Sequence, residues 1–226
     1  MSELSIFCLH VWTILWKDIR YELRSKQTWL GMGLFALIVL VIFNFTFDVH
    51  ADNLAAIAPG VLWVAFLFAS LLGLGRTMAA EREHGSMDRL LLCPVDRRAI
   101  YLAKLLGNVL VLSVVEMIAL PAFVMLFNIT VSSVGSLLLI VLLGTLGISA
   151  VGTLFSAMAA ATQSRELLLP VLIFPMLVPV IISVVRATQL LLAPALNQPP
   201  WLGLVVAFDL IFLSAATLTF QYVIED

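Results

Sequence analysis

Charge is what this sequence has least of. Only 12% of its 226 residues are Asp, Glu, Lys or Arg, about half the share found in soluble domains. Too few charges are present to coat an ordinary water-facing surface, so a soluble globular fold is excluded. Between Glu116 and Arg165 the chain runs 48 residues, 117 to 164, with none of the four. At about 1.5 Å per helical residue such a run reaches roughly 72 Å, more than twice a hydrocarbon core of about 30 Å, so it must cross a bilayer twice. Cysteine is also scarce. Cys8 and Cys93 are the two, and both fall on the side read below as cytoplasmic, where reducing conditions argue against a disulfide. No GxxxxGK[ST] run is present to cradle phosphates, which removes ATP binding in the P-loop manner. The absence of HExxH, CxxCH and a nucleophile elbow leaves nothing that points to intrinsic catalysis or a resident metal. Period-two alternation is missing, which argues against a β-barrel.

Apolar residues are what the chain has instead: 62% of the sequence, with a mean hydropathy of +1.12. Further charge-free windows at 27–47, 53–75, 167–185 and 187–208 are each long enough, or nearly so, for a spanning helix. The pattern predicts an all-α polytopic membrane protein, a single transmembrane domain over 1–226. Its six spans are expected at about 29–47, 58–79, 99–127, 133–161, 167–190 and 201–222. Placed this way, 11 of the 12 basic residues share one side: Lys17, Arg20, Arg24, Lys26, Arg76, Arg82, Arg89, Arg97, Arg98, Lys104 and Arg165. The positive-inside rule makes that side cytoplasmic and, with six crossings, puts both termini there. About 25 residues of mixed charge precede the first apolar run, which is not the pattern of a cleavable signal peptide. The lipid bilayer is the expected surroundings, and no nucleic acid is expected as a partner.

Residues 4–25 read as an amphipathic helix in the inner interface. At about 100° per residue Cys8, Trp12, Leu15, Trp16, Ile19 and Leu23 gather on one face, while Lys17, Arg20 and Arg24 face away. Such a helix is either an anchor or a brace for the membrane core. Trp29 and Trp201 mark interface ends of the first and last spans. In the fourth span Thr145, Ser149, Thr153, Ala157 and Ala161 recur every four residues, beside Gly152, Ser156 and Ala160, a face small enough for close helix packing. Pro170, Pro175 and Pro179 are expected to kink the fifth span.

The longest inner connection, 80–98, reads AEREHGSMDRLLLCPVDRR. Gly85 breaks what precedes it, Ser86 can cap a new helix, and Asp88 lies in the first turn, where the helix dipole favours an anion. A short helix from about Met87 to Cys93 then ends before Pro94. Leu90, Leu91 and Leu92 are poorly placed on a water-facing helix and want a groove, either the protein's own underside or a partner's cleft. Asp96 is placed to cap the third membrane helix, with Lys104 snorkelling back to the interface.

These residues resemble a known family. The run APGVLWVAFLFASLLGLGR (58–76), the stretch from Gly85 to Pro94 and the segment Ile100 to Lys104 are similar to the membrane subunit of an ABC exporter of the second export type. With LLGTLGISAVGTLFSAMAA (142–160) and LLLPVLIFPMLVPVII (167–182), the likeness narrows to the haem exporter protein B family, the permease of the cytochrome c maturation system. The resemblance implies a bacterial inner-membrane permease and a separate ATP-binding cassette ATPase subunit. It also implies a second copy of the chain, other cytochrome c maturation membrane proteins as partners, and haem as the exported or handled ligand with no intrinsic cofactor. It further implies a cytoplasmic coupling helix at 81–93 seated in a cleft of the ATPase. There Leu90, Leu91 and Leu92 are the apolar anchors, and Glu81, Arg82, Glu83, Asp88 and Arg89 form the polar rim. Two other readings stay open: export of a drug, lipid-linked sugar or ion, and an intramembrane assembly scaffold with no moving substrate.

Glu116, Arg186 and Asp209 fall inside spans, where an ionised side chain costs on the order of 2.5–3.5 kcal/mol. Their similar depths predict an opposite-charge cluster of Arg186 with Glu116, Asp209 or both. Such a cluster would line an outward-facing cavity or tie the third, fifth and sixth spans together. His50 sits between Asp48 and Asp52 in the first outer loop but has no convergent second ligand, and His10 and His84 lie on the opposite side.

Overall fold

A computed structural model describes residues 3–24, 27–47, 54–83, 94–131, 133–160, 165–192 and 200–225. Seven helices account for nearly all of them: α1 (Glu3–Arg24), α2 (Gln27–Thr46), α3 (Leu54–Glu83), α4 (Arg97–Leu126), α5 (Val134–Ala160), α6 (Arg165–Leu192) and α7 (Trp201–Glu225). No strand occurs among the described residues. Six of the helices contain stretches long and apolar enough to cross a membrane: Thr28–Thr46, Ala56–Leu74, Arg97–Leu126, Val134–Ala159, Leu169–Leu192 and Trp201–Val223. These fall where the charge-free windows lie, because hydrocarbon thickness fixes helix length and the backbone must satisfy its own hydrogen bonds there. The chain is a multi-pass membrane protein.

The centre of the bundle is α5, which packs against α3, α4, α6 and α7. Its small residues explain that position. Thr145, Ser149 and Thr153 are fully buried, Ser156 and Ala157 nearly so, and the stripe lets neighbouring backbones approach closely. Two glycines go further. A methyl group on Gly144 would lie 2.2 Å from the Trp63 ring of α3, and one on Gly152 would lie 2.3 Å from Leu74. Trp63 fills the first notch and donates its indole N–H to Thr188 Oγ1 on α6 at 3.0 Å, joining three helices at one buried point. Helix α6 runs unbroken through Pro170, Pro175 and Pro179.

Asp96 caps α4 as expected, with extended backbone and a side chain that accepts from Arg98 N at 2.9 Å. Helix α1 lies against α4, burying Ile14 and Leu15 among Ile100, Tyr101, Ala103 and Leu105. Its predicted apolar face is therefore divided. Leu15 and Ile19 turn to protein, while Trp12 and Trp16 stay exposed and stacked, 6.3 Å between centroids, with the Arg20 guanidinium 5.6 Å from the Trp16 ring. Aromatic rings bearing a cation are suited to headgroup depth.

Lys104 departs from the expectation that it snorkels to the interface. It is only 2% exposed and donates Nζ to Asp18 Oδ2 of α1 at 2.7 Å. The docked helix places a carboxylate directly over the ammonium, so the lysine is satisfied by protein. Neutralising one partner of a buried pair leaves the other charge less compensated. Asp18 also meets Lys17 at 3.0 Å, so Lys104 is the member that depends on the pair, and Asp18→Asn is expected to lower stability by about 1–3 kcal/mol, with added Lys104→Met recovering most of it. Thermal unfolding in detergent, followed by size-exclusion fluorescence, measures both.

Candidate functional site

Two carboxyl groups enter the bundle from opposite sides of α5. Glu116 projects from α4 and is buried; Thr145 Oγ1 sits 2.5 Å from its Oε1 and 2.8 Å from Val141 O, so one hydroxyl proton serves two acceptors. Asn108 Nδ2 donates to Thr153 Oγ1 at 2.8 Å and Tyr101 Oη to Ala150 O at 3.1 Å, which continues a polar seam along the α4 and α5 contact. Asp209 projects from α7 and is 3% exposed. Neither of its carboxylate oxygens has a hydrogen-bond partner among the described residues. Its seat is made by Gly147: a methyl group there would lie 2.6 Å from Asp209 Oδ1 and 3.3 Å from Val180 of α6.

The predicted pairing of Arg186 with these acids does not form. Arg186 is exposed on α6, and its Nη1 donates to Gln189 Oε1 at 3.2 Å. Gln189 in turn donates Nε2 to Ala56 O at the start of α3, at 2.5 Å. The reason is azimuth. Glu116 faces Thr145, Asp209 faces the Gly147 notch, and Arg186 turns toward the helix end, where the next turn offers it an oriented amide. Gln189 and Gly147 escaped the sequence reading. The first has a weak signal, a polar residue one turn after a membrane arginine; the second has none beyond the small-residue stripe of its helix.

At the basic end, Glu81, Arg82 and Glu83 fall on the last turn of α3. The remaining residues assigned to the coupling segment, Asp88, Arg89, Leu90, Leu91 and Leu92, lie outside the described residues, as do His50 and His84. Close to where that segment rejoins the bundle, Glu3, Ile6, Phe7 and His10 of α1 line a cleft of about 440 Å³ with Pro94 and Asp96. The side chain of Glu22 on α1 is pushed above the ordinary carboxylate range, chiefly by burial, against a hydrogen bond from Thr28. No group of three His, Cys, Asp or Glu side chains converges to hold a metal among the described residues.

Six bilayer-length helices around a small-residue spine, with two buried carboxyls facing it, define a multi-pass helical membrane protein. Residues 9–225 match the family described as CcmB protein, and the chain belongs to that family. It is similar to "Heme exporter protein B" of Rhodobacter capsulatus, 34% identical over 170 residues that make up 75% of this chain and 78% of that one. The protein of that name from Paracoccus denitrificans is 32% identical over 208 residues, 91% of this chain and 90% of its own. The one from Pseudomonas aeruginosa is 31% identical over 199 residues, 87% and 89% respectively.

Proposed function

We propose that this chain is the permease subunit of an ABC exporter that serves cytochrome c maturation and handles haem, with ATP hydrolysed by a separate subunit. The observation that carries the reading is family membership over residues 9–225, on a fold with six helices long and apolar enough to cross a membrane. The sequence supports the division of labour, since it lacks a phosphate loop. The chain sits in the inner membrane with both termini in the cytoplasm, because 11 of 12 basic residues gather at that end. It works with a second copy of itself and with other membrane proteins of the maturation system.

Coupling to the ATPase runs through residues 81–93. Helix α3 continues past its last span residue, Leu74, to Glu83, which at about 1.5 Å per residue carries it roughly 13 Å toward the cytoplasm. That extension leads into the leucine-bearing segment. Glu81, Arg82, Glu83, Asp88 and Arg89 form the polar rim of the contact, and Leu90, Leu91 and Leu92 its apolar core. Leu91→Asp is expected to leave the permease inserted and folded while the ATPase no longer copurifies with it, a loss of at least tenfold in recovered complex. Purification with associated subunits, followed by absorption spectroscopy for haem, tests the whole reading. Undiminished ATPase recovery with Leu91→Asp would remove the docking role, and a complex without haem that does not restore cytochrome c would remove the function.

A further inference from the structure

We propose that the outer end of α6 carries an oxyanion-binding site centred on Arg186, which takes the carboxylate or phosphate of an amphiphile at the outer interface. The inference rests on the exporter reading for which face is outer and for tetrapyrrole propionate as one source of that oxyanion. Lipid headgroup phosphate is the other source.

Arg186 is the one basic residue of the twelve that does not belong to the inner end. It lies within the span Leu169–Leu192, where a cation without a partner is costly and therefore rarely kept. The two acids at comparable depth face elsewhere, Glu116 toward Thr145 and Asp209 into the Gly147 notch, and among the described residues no carboxylate forms an ion pair with the guanidinium. The group is nevertheless held. Backbone oxygen of Ala56 fixes the Gln189 amide, and that amide accepts from Arg186 Nη1, so α3 aims a side chain of α6. One donor is spent on this bond. The remaining donors of the exposed planar fork match two oxygens of a carboxylate or phosphate.

A second observation lies at the same end of the adjacent helix. Trp201 opens α7, which packs against α6, and its indole Nε1 is buried without a hydrogen-bond partner among the described residues. Buried donors left unmet are uncommon, and a bound acceptor is one arrangement that satisfies them. An oriented cation and an unmet N–H at one end of two packed helices select an anion. Its source must also be apolar enough to reside at a membrane interface.

The test uses the full chain in nanodiscs of zwitterionic lipid, titrated with zinc protoporphyrin IX and with its dimethyl ester, which lacks the free carboxylates. Quenching of tryptophan emission reports binding, with Trp63 bonded to Thr188, two residues from Arg186. The acid form is expected to bind at least tenfold more tightly than the ester. Arg186→Gln erases that preference while leaving ester affinity unchanged, and Gln189→Leu, which frees the guanidinium without removing it, reduces the preference severalfold. Equal binding of the two porphyrins, together with phosphatidylglycerol retained by the parent protein and lost from Arg186→Gln in native mass spectrometry, assigns the site to lipid phosphate. If Arg186→Gln elutes normally and changes neither porphyrin selectivity nor lipid retention, the site does not exist. Both readouts need this chain alone. A failure to restore cytochrome c in cells with the Arg186 preference intact therefore counts against the exporter reading and not against the site.

Discussion

Gly144→Ala is expected to be among the most damaging single-methyl additions this chain can receive. The added carbon would sit 2.2 Å from Cη2 and 2.4 Å from Cζ3 of Trp63, and 3.1 Å from Val184 Cγ1. Contacts under 3 Å do not occur between real atoms of this kind, so something must move. Trp63 has nowhere to go. It is fully buried, its N–H is committed to Thr188, and its ring meets Phe66 edge-on with centroids 5.7 Å apart. Retreat of the ring would break a hydrogen bond in a setting where no water replaces it. Overpacking typically costs about 1–3 kcal/mol, and the pinned ring puts this case at or above about 3 kcal/mol. At roughly 2–4 °C per kcal/mol for a chain of this size, the melting temperature should fall by about 6–12 °C. Adding Trp63→Phe, which withdraws the outer ring, is expected to return much of that loss. A single variant that melts with the parent protein would mean that α3 and α5 do not meet through this notch.

The same notch shows what a sequence of this kind discloses and what it conceals. Span positions are legible because they depend on one coordinate, depth, and hydropathy reads depth directly. The first span is expected at 29–47, and helix α2 runs Gln27–Thr46; the last is expected at 201–222, and α7 runs Trp201–Glu225. The small-residue stripe of α5 likewise announced a packing face, since nothing else explains Thr145, Ser149 and Thr153 at intervals of four. Azimuth is different. Arg186, Glu116 and Asp209 share similar depths, and depth alone makes them look like partners. Which way each turns depends on neighbours far along the chain: Thr145 for Glu116, Gly147 for Asp209, and Ala56 acting through Gln189 for Arg186. Lys104 was misplaced for the same reason. Snorkelling is the default for a lysine near a span end, and only the docking of α1 brings Asp18 within 2.7 Å.

Asp209→Leu is expected to give a protein that is more stable and less useful. The carboxyl is buried against Gly147 and Val180 with both oxygens unpartnered among the described residues, so folding strips it of water and returns no hydrogen bond. A leucine has the same branching and similar reach and removes that penalty, with methyl groups bulkier than the oxygens they replace. A gain of about 1–3 kcal/mol follows, seen as a rise of roughly 2–4 °C in melting temperature per kcal/mol. Glu116→Leu should differ, since Glu116 has a partner in Thr145 and its removal brings no comparable gain. A polar group kept at a cost to stability marks a position where function overrides packing. Asp209 stands where α7 packs on the central helix, so a carboxyl unpartnered among the described residues weakens one particular contact between α7 and α5. Asp209→Leu should lock that contact, and cytochrome c maturation in a strain lacking the native gene should drop at least tenfold although the protein accumulates to higher levels. Asp209→Asn, which retains a polar head of the same size, should fall between the two in both measurements. Full maturation in the Leu variant, alongside its higher melting point, would show that Asp209 plays no part in the working cycle.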